Sequence, residues 1–395
     1  MKHSFSRIAG SVTAPRGFRT AGIAAGIKSR GKKDMALIVS DKPATAVATF
    51  TTNQVKAAPV KLNMRHIKSG RACAIIVNSG NANACTGRIG MIHAEAMAAA
   101  VARRIGCRDR GVLVCSTGRI GVLMPIVKVE AGIKKLLGIL SPTGGHSAAE
   151  AIMTTDTFPK EIAVRVTAGG NTIHIGGIAK GAGMIQPNMA TMLSFITTDA
   201  ALSRAEAQRA LTAAVNQSFN RISVDGDMST NDTVILLANG MAGRVPLPKF
   251  QEALNFVCLE LAKMIVRDGE GVSKFVMINV HGAASDRDAE IAGRAVANSV
   301  LVKTSWCGGD PNWGRILDAL GYSRAKVREE LVDIAYNGVK AVRNGLATKA
   351  PVAKVKKIVA QPTFTIDIHL HLGRGRCTMH TCDLTEKYVE LNKGE

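Results

Sequence analysis

Aromatic side chains are scarce in this 395-residue chain: Phe, Tyr and Trp together make up 4% of it. The core must therefore be built from Ala, Val, Ile, Leu and Met. The stacking platforms that hold single-stranded nucleic acids need aromatics, so such a platform is not expected. No apolar run approaches the roughly 18 uncharged residues of a membrane-spanning helix. Residues 1–19 are basic but lack the apolar block of a secretory signal, and the chain reads as cytoplasmic. CxxC spacing is also missing. The eight cysteines mostly sit in apolar stretches such as 112–115 and 256–259, which reads as buried free thiols in a reducing compartment rather than a zinc site. No phosphate-loop pattern GxxxxGK[ST] is present, and there are no low-complexity linkers or short repeats.

What the chain does have is basic charge, a formal net +21. That raises the possibility of a nucleic-acid-binding protein. The basic residues are dispersed, however. Their densest stretches, 28–33 and 354–357, have no aromatics between them. A solvated basic surface that favours anionic metabolites is the better reading, with no nucleic-acid and no membrane partner.

Short runs of Val, Ile, Leu, Ala and Cys at 36–39, 46–50, 74–77 and 112–115 predict buried strands. Residues 93–105 are Ala-rich and predict a helix that stops at Gly106. Ser203 and Glu206 form a capping-box pair for a helix to about residue 219. Further helices are predicted over 250–266, 286–302 and 323–336, with strands at 233–237, 275–280 and 363–370. Strands mixed with helices in both halves predict an α/β protein with layered mixed sheets covered by helices.

Residues 180–196, KGAGMIQPNMATMLSFI, carry the most chemical information. The first part is irregular, because Gly181 and Gly183 permit positive φ and Pro187 interrupts regular structure. The second, 192–196, reads as an apolar strand. Ala190 and Thr191 lie at the junction. A loop held against a rigid strand can press the Thr191 hydroxyl onto the preceding carbonyl, shift the peptide from nitrogen to oxygen, and let water release the ester. The α-amine then exposed titrates near pH 8 and can serve as base for the hydroxyl of its own residue. By spacing and composition alone, a glycine-rich loop leading into a core strand is the better explanation of the segment.

Residues 180–193 (KGAGMIQPNMATML) closely resemble the self-processing segment of the ornithine acetyltransferase family, the glutamate N-acetyltransferases of arginine biosynthesis. The resemblance extends through 10–18, 77–87, 116–118, 154–157, 219–233, 267–271 and 309–315, nearly the whole chain and in the family's order. It implies a self-processing α/β sandwich, cut between Ala190 and Thr191 into chains 1–190 and 191–395 that assemble as a heterotetramer. It implies Thr191 as nucleophile, with Thr117 and Gly118 as the oxyanion hole on a turn after strand 112–115. Lys180, Glu270 and Asn392 would contact substrate, together with Thr154 or Thr155 and Thr191 itself. Lys180 suits the α-carboxylate of N-acetylornithine or glutamate, and Glu270, in a glycine-flanked turn, suits the ornithine side chain. No cofactor or metal is implied. Some members also use acetyl-CoA as donor substrate, which the sequence leaves open. A related self-processing aminopeptidase or amidase, with water resolving the acyl-enzyme, is the enzymatic alternative. The chain departs from the family pattern at Arg119, which follows the expected oxyanion pair, and in lacking the family's terminal Thr after Asn392.

Overall fold

The computed structural model describes residues 4–29, 31–186 and 192–393. The chain divides into two compact units. The first comprises Met1–Gly181, Asn188–Asn220 and Asp227–Ile265; the second comprises Ala182–Pro187, Arg221–Gly226 and Val266–Glu395.

In the first unit the strands are, in chain order, β1 (Phe5–Ile8), β2 (Phe18–Ile23), β3 (Met35–Phe50), β4 (Arg71–Asn81), β5 (Val112–Arg119), β6 (Lys160–Ala168), β7 (Asn171–Lys180), β8 (Leu193–Thr198) and β9 (Thr233–Ala238). They form one mixed sheet in the order β1-β6-β7-β8-β9-β3-β4-β5, with β2 also paired to β3. The runs predicted at 36–39 and 46–50 are a single strand. Its register shifts between Val39 and Ala44, so that its first half pairs with β2 and its second half with β9. Such a bulge bends a strand without ending it.

The two faces of this sheet follow the two-residue period of β structure. Ala36, Ile38, Ile75, Val77, Leu113, Phe195 and Ile235 pack on one face with Ala148, Ala149 and Ile152 of helix Gly145–Ile152. Met35, Leu37, Val39, Ala74, Ile76, Val112 and Val114 pack on the other, under helices Ala58–His66, Gly87–Ile105 and Ile126–Gly138. Small residues allow the close packing that the shortage of aromatics demands. A Cβ on Gly22 would lie 2.0 Å from the Ser147 carbonyl oxygen of the covering helix.

Strands β6 and β7 were not anticipated. They form a hairpin through Gly169 and Gly170, both at positive φ (60° and 79°), as a two-residue type I′ loop requires. The helix predicted at 93–105 starts six residues earlier, which places His93 inside it rather than at its start; it ends at Gly106 with φ 70°. The early start escapes a propensity argument because Gly87 and Gly90 are poor helix formers. The capping box is present: Ser203 accepts from the Glu206 N–H, and Glu206 accepts from the Ser203 N–H, opening helix Arg204–Gln217. Helix Leu247–Arg267 contains the predicted 250–266 segment.

The second unit holds β10 (Phe275–Ala283), β11 (Asp333–Tyr336), β12 (Val339–Arg343), β13 (Leu346–Ala347), β14 (Thr363–His369) and β15 (Gly375–Cys382), in the order β13-β12-β11-β14-β10-β15. Its core joins Val276, Ile278, Ile334, Tyr336, Ile366 and Ile368 from the sheet to Ala292, Val296, Trp306 and Ile316 from helices. Two predicted helices need correction here. The 286–302 segment breaks at Ser299, which leaves helix Asp286–Asn298 and caps a second one, Val300–Cys307. The 323–336 segment is not a helix. Arg324 has φ 63°, which no α-helix contains. Residues 333–336 are β11, with Ile334 and Tyr336 filling one face of the sheet core.

The layered α/β reading therefore holds for both units, each with a mixed sheet covered by helices. Residues on both sides of the expected cut supply strands to the first sheet: β8 and β9, which follow it, lie between β7 and β3, which precede it. All eight cysteines are free. Four are buried as expected, but Cys85 and Cys307 are exposed. Among the described residues no helix is long and apolar enough to cross a membrane.

Replacing Ser203 with Ala removes a capping-box acceptor and should lower stability by about 1 kcal/mol. Urea denaturation checks this; an unchanged midpoint would contradict the role.

Candidate active site

The expected junction and nucleophile, Ala190 and Thr191, lie outside the described residues. The elements that lead to and from them are described. In the first unit, β7 ends at Lys180, which pairs with Leu193 at the start of β8. Met192, just before β8, gives its N–H to Asp232 Oδ1 at 2.9 Å. Its carbonyl accepts from the Thr233 N–H at the start of β9.

Lys180 is buried, and its ammonium lies 3.3 Å from Thr117 Oγ1. Two residues chosen separately from the sequence thus meet. Thr117 and Gly118 do not form a turn after β5 but belong to that strand. The parallel ladder with β4 runs on through them, pairing Ser79 with Thr117 and Gly80 with Gly118, and its register shifts only beyond, at Asn81. Gly118 has φ 131°, and a Cβ there would lie 2.3 Å from the Gly80 carbonyl carbon, so glycine is required. With the Lys180 ammonium donating to its oxygen, the Thr117 hydroxyl keeps its own proton for donation. A positively polarised hydroxyl of this kind suits a developing oxyanion. Arg119 ends β5 with its side chain exposed, and its carbonyl accepts from the Ala82 N–H.

Asp156 was not singled out from the sequence, yet it organises this region. Its Oδ1 accepts from Lys160 Nζ and from the Gly181 N–H, each at 2.7 Å; its Oδ2 accepts from the Thr154 N–H at 2.8 Å. The side chains of Asp156 and Lys160 are wholly inaccessible. Burial alone would raise the Asp156 carboxyl. Lys180, Lys160 and the Gly181 N–H outweigh it and hold the group well below the usual carboxylate range. Thr154, an expected substrate contact, points its hydroxyl at Asp156 as well (3.4 Å), whereas Thr155 is exposed. Lys28, read only as part of a basic stretch, packs its stem near Gly80 and donates to the carbonyls of Lys33 and Met153. Burial, aided by the Lys180 charge and opposed by Asp34, lowers it to about 8. Asp232 is fully buried, and burial raises its carboxyl well above the usual range against the Met192 N–H, Lys180 and Thr51.

In the second unit, Glu270 occupies the expected turn between Gly269 and Gly271, just after helix Leu247–Arg267. Its N–H binds the Ala182 carbonyl. A Cβ on Gly183 would lie 2.6 Å from its carboxyl carbon, so that glycine admits the carboxylate. Asn392 Nδ2 donates to Glu270 Oε2 at 2.8 Å. Two more expected substrate contacts are therefore partners. The same stretch is held by Asp225, whose carboxylate accepts the N–H groups of Met184 and Ile185 and, at 3.2 Å, the Tyr388 hydroxyl.

The one clue to Asp156 was its place in the 154–157 block, with Lys160 four residues on. Asp232 lay in the 219–233 block without any sign that it is buried.

Asp156→Asn leaves Lys160 and Lys180 buried without their counter-charge. It should cost about 3–5 kcal/mol at neutral pH, as loss of one partner in a buried pair does. The folded carboxyl titrates below its unfolded value near 4, so its stabilisation is complete above about pH 4 and fades as pH falls through the folded value. The gap between wild type and variant should narrow at pH 3; urea denaturation showing equal gaps at pH 7 and pH 3 would contradict this.

The ArgJ family pattern matches residues 19–394. The chain is similar to the arginine biosynthesis bifunctional protein ArgJ of Geobacter sulfurreducens, 49% identical over 95% of this chain and 98% of that protein. It is similar to the protein of the same name from Symbiobacterium thermophilum, 48% identical over 98% of each chain. It also resembles the solved structure of an ornithine acetyltransferase from Mycobacterium tuberculosis complexed with ornithine, at 42% identity over 47% of this chain and 98% of that one, with a TM-score of 0.44. Matched along nearly its full length by curated relatives of one name, the chain belongs to the ArgJ family.

Proposed function

We propose that this protein cuts itself between Ala190 and Thr191 and then moves acetyl from N-acetylornithine to glutamate through an ester on Thr191. Membership of the family makes it an acetyltransferase of arginine biosynthesis. The route through Thr191 is our reading of how the residues serve that activity.

In the cut, Thr191 Oγ attacks the Ala190 carbonyl carbon. The C–N bond breaks, the nitrogen takes the hydroxyl proton and becomes a free α-amine, and water hydrolyses the ester to an Ala190 carboxylate and a free hydroxyl. In transfer, the amine takes the hydroxyl proton while Oγ attacks the acetyl carbonyl. Thr117 and Gly118 donate to the oxyanion. The amide C–N bond breaks, the departing nitrogen receives the proton, and ornithine leaves. The amine of glutamate then attacks the acetyl ester, and Oγ regains its proton as N-acetylglutamate departs. Lys180 holds a substrate α-carboxylate, Glu270 and Asn392 hold the ornithine side chain, and Thr154 or Thr155 completes the substrate contacts.

The observation that supports this most is the Lys180–Thr117 contact at the end of the strand leading into the junction. It brings together the lysine proposed to bind substrate and the threonine proposed to donate to the oxyanion. The two products sharing one sheet support their remaining assembled after the cut, and we extend this to a cytoplasmic heterotetramer. The relatives' bifunctional name supports acetyl-CoA as a second acetyl donor; no resident cofactor enters the scheme.

Intact mass of the purified protein should show two chains, 1–190 and 191–395. Thr191→Ala should give one uncut, inactive chain. A single uncut wild-type chain that still transfers acetyl would overturn the proposal.

A further inference from the structure

Residues 229–232 lead into β9, and their backbone is held along its length. The Ser229 carbonyl accepts from the Thr51 hydroxyl, the Thr230 carbonyl from the Ala57 N–H, and the Asp232 carbonyl from the Thr51 N–H. Asn231 gives its N–H to the Ser229 hydroxyl, and its carbonyl accepts from the Thr233 hydroxyl. Its backbone is thus anchored on both sides, and the residue is only 5% exposed.

Both donors of the Asn231 amide are used. Its nitrogen donates to the Ser116 carbonyl at 2.8 Å and to the Ala82 carbonyl at 2.7 Å, and its oxygen accepts from the Thr230 hydroxyl at 2.6 Å. Only this orientation gives both carbonyls a donor. In the sheet, β3 and β4 separate β9 from β5, yet this side chain reaches the β5 carbonyl that precedes Thr117. A peptide unit is planar. Anchoring the Ser116 oxygen therefore fixes the plane that ends at the Thr117 nitrogen and Cα. On the far side, Gly118 lies close against Gly80, and the Thr117 hydroxyl meets Lys180.

We propose that Asn231 is a positioning residue for acetyl transfer: it sets Thr117 and Gly118 at the angle from which they donate to the oxyanion. This rests on the oxyanion role proposed above and goes beyond it, because it names what holds the donors still. Preorganised donors stabilise a developing charge without having to reorganise as it forms. The next residue, Asp232, holds the Met192 N–H ahead of β8. Successive residues of one stretch thereby link the start of β8 to the strand that carries the donors.

The test compares Asn231→Leu, Thr117→Ala and the double variant with wild type, by intact mass, urea midpoint, and kcat and KM for N-acetylornithine and glutamate. Leucine keeps the branching of the side chain but has no donor for either carbonyl. A cut, folded Asn231→Leu enzyme should lose roughly 10- to 100-fold in kcat, as misplaced reacting groups do, while each KM stays within about twofold. A residue that merely supports the fold would lower the urea midpoint without this split. In the double variant the loss should fall short of the product of the two single losses, because both act through Thr117. Wild-type kcat in Asn231→Leu, a raised KM at unchanged kcat, or losses that multiply would each overturn the proposal. So would a folded variant that stays uncut, since Asn231 would then act in the cut and not in transfer. If Asn231→Leu fails to fold, Thr230→Val decides, because it frees the amide to turn while leaving Asn231 in place. A kcat lowered about threefold or more at constant KM then supports the proposal, and an unchanged kcat overturns it. Thr117→Ala at the wild-type rate would defeat the oxyanion reading itself, and this proposal with it.

Discussion

Strand Leu193–Thr198 is hydrogen-bonded along both edges, antiparallel to Asn171–Lys180 and parallel to Thr233–Ala238, and all six of its residues are buried. It starts two residues after Thr191. A nucleophile at a new chain terminus would ordinarily fray, since termini are ordered only when something ties them down. Here the tie is a central strand of a nine-stranded sheet. One neighbouring strand comes from the segment before the proposed cut and the other from the segment after it. Breaking the one peptide bond proposed to be cut would leave these ladders intact, and a strand so held would lower the entropy cost of bringing the reacting groups together.

The same ladder sets the electrostatics. Pairing Lys180 with Leu193 fixes the last residue of β7 beside the start of β8, and there its buried ammonium meets the Thr117 hydroxyl. A buried ammonium is costly unless compensated. Asp156 supplies the compensation for Lys180 and Lys160 together and binds the Gly181 N–H where the chain leaves the strand. One carboxylate thus stabilises the charge and shapes the exit of the loop. In a chain of formal charge +21, a negative group so placed also offsets the lysines gathered here.

Much of this could be read in the sequence where local physics decides. The apolar runs at 74–77 and 233–237 became strands because continuous apolar residues suit a sheet buried on both faces, and 275–280 became one with alternate residues buried. Ser203 and Glu206 satisfied each other as the spacing required. The Gly-Glu-Gly turn placed Glu270 correctly. Where partners distant in sequence decide, reading failed. Residues 333–336 became a strand because β14 offers them a ladder. Ser116-Thr117-Gly118 joined β5 because Asn78, Ser79 and Gly80 of β4 continue the ladder opposite them. Asp156 and Asp232 look like ordinary acidic residues in a motif; their burial exists only once the sheet has formed. The Ala190–Thr191 junction was singled out by motif, and the surrounding geometry adds the neighbours it would use.

The central claim is the acetyl ester on Thr191. Cleaved protein incubated with N-acetylornithine and no glutamate, then digested and analysed by mass spectrometry, should carry one added acetyl group on the peptide that begins at Thr191. Adding glutamate should remove it and yield N-acetylglutamate. An acetyl group on any other residue, or steady transfer with Thr191 never acetylated, would contradict the mechanism.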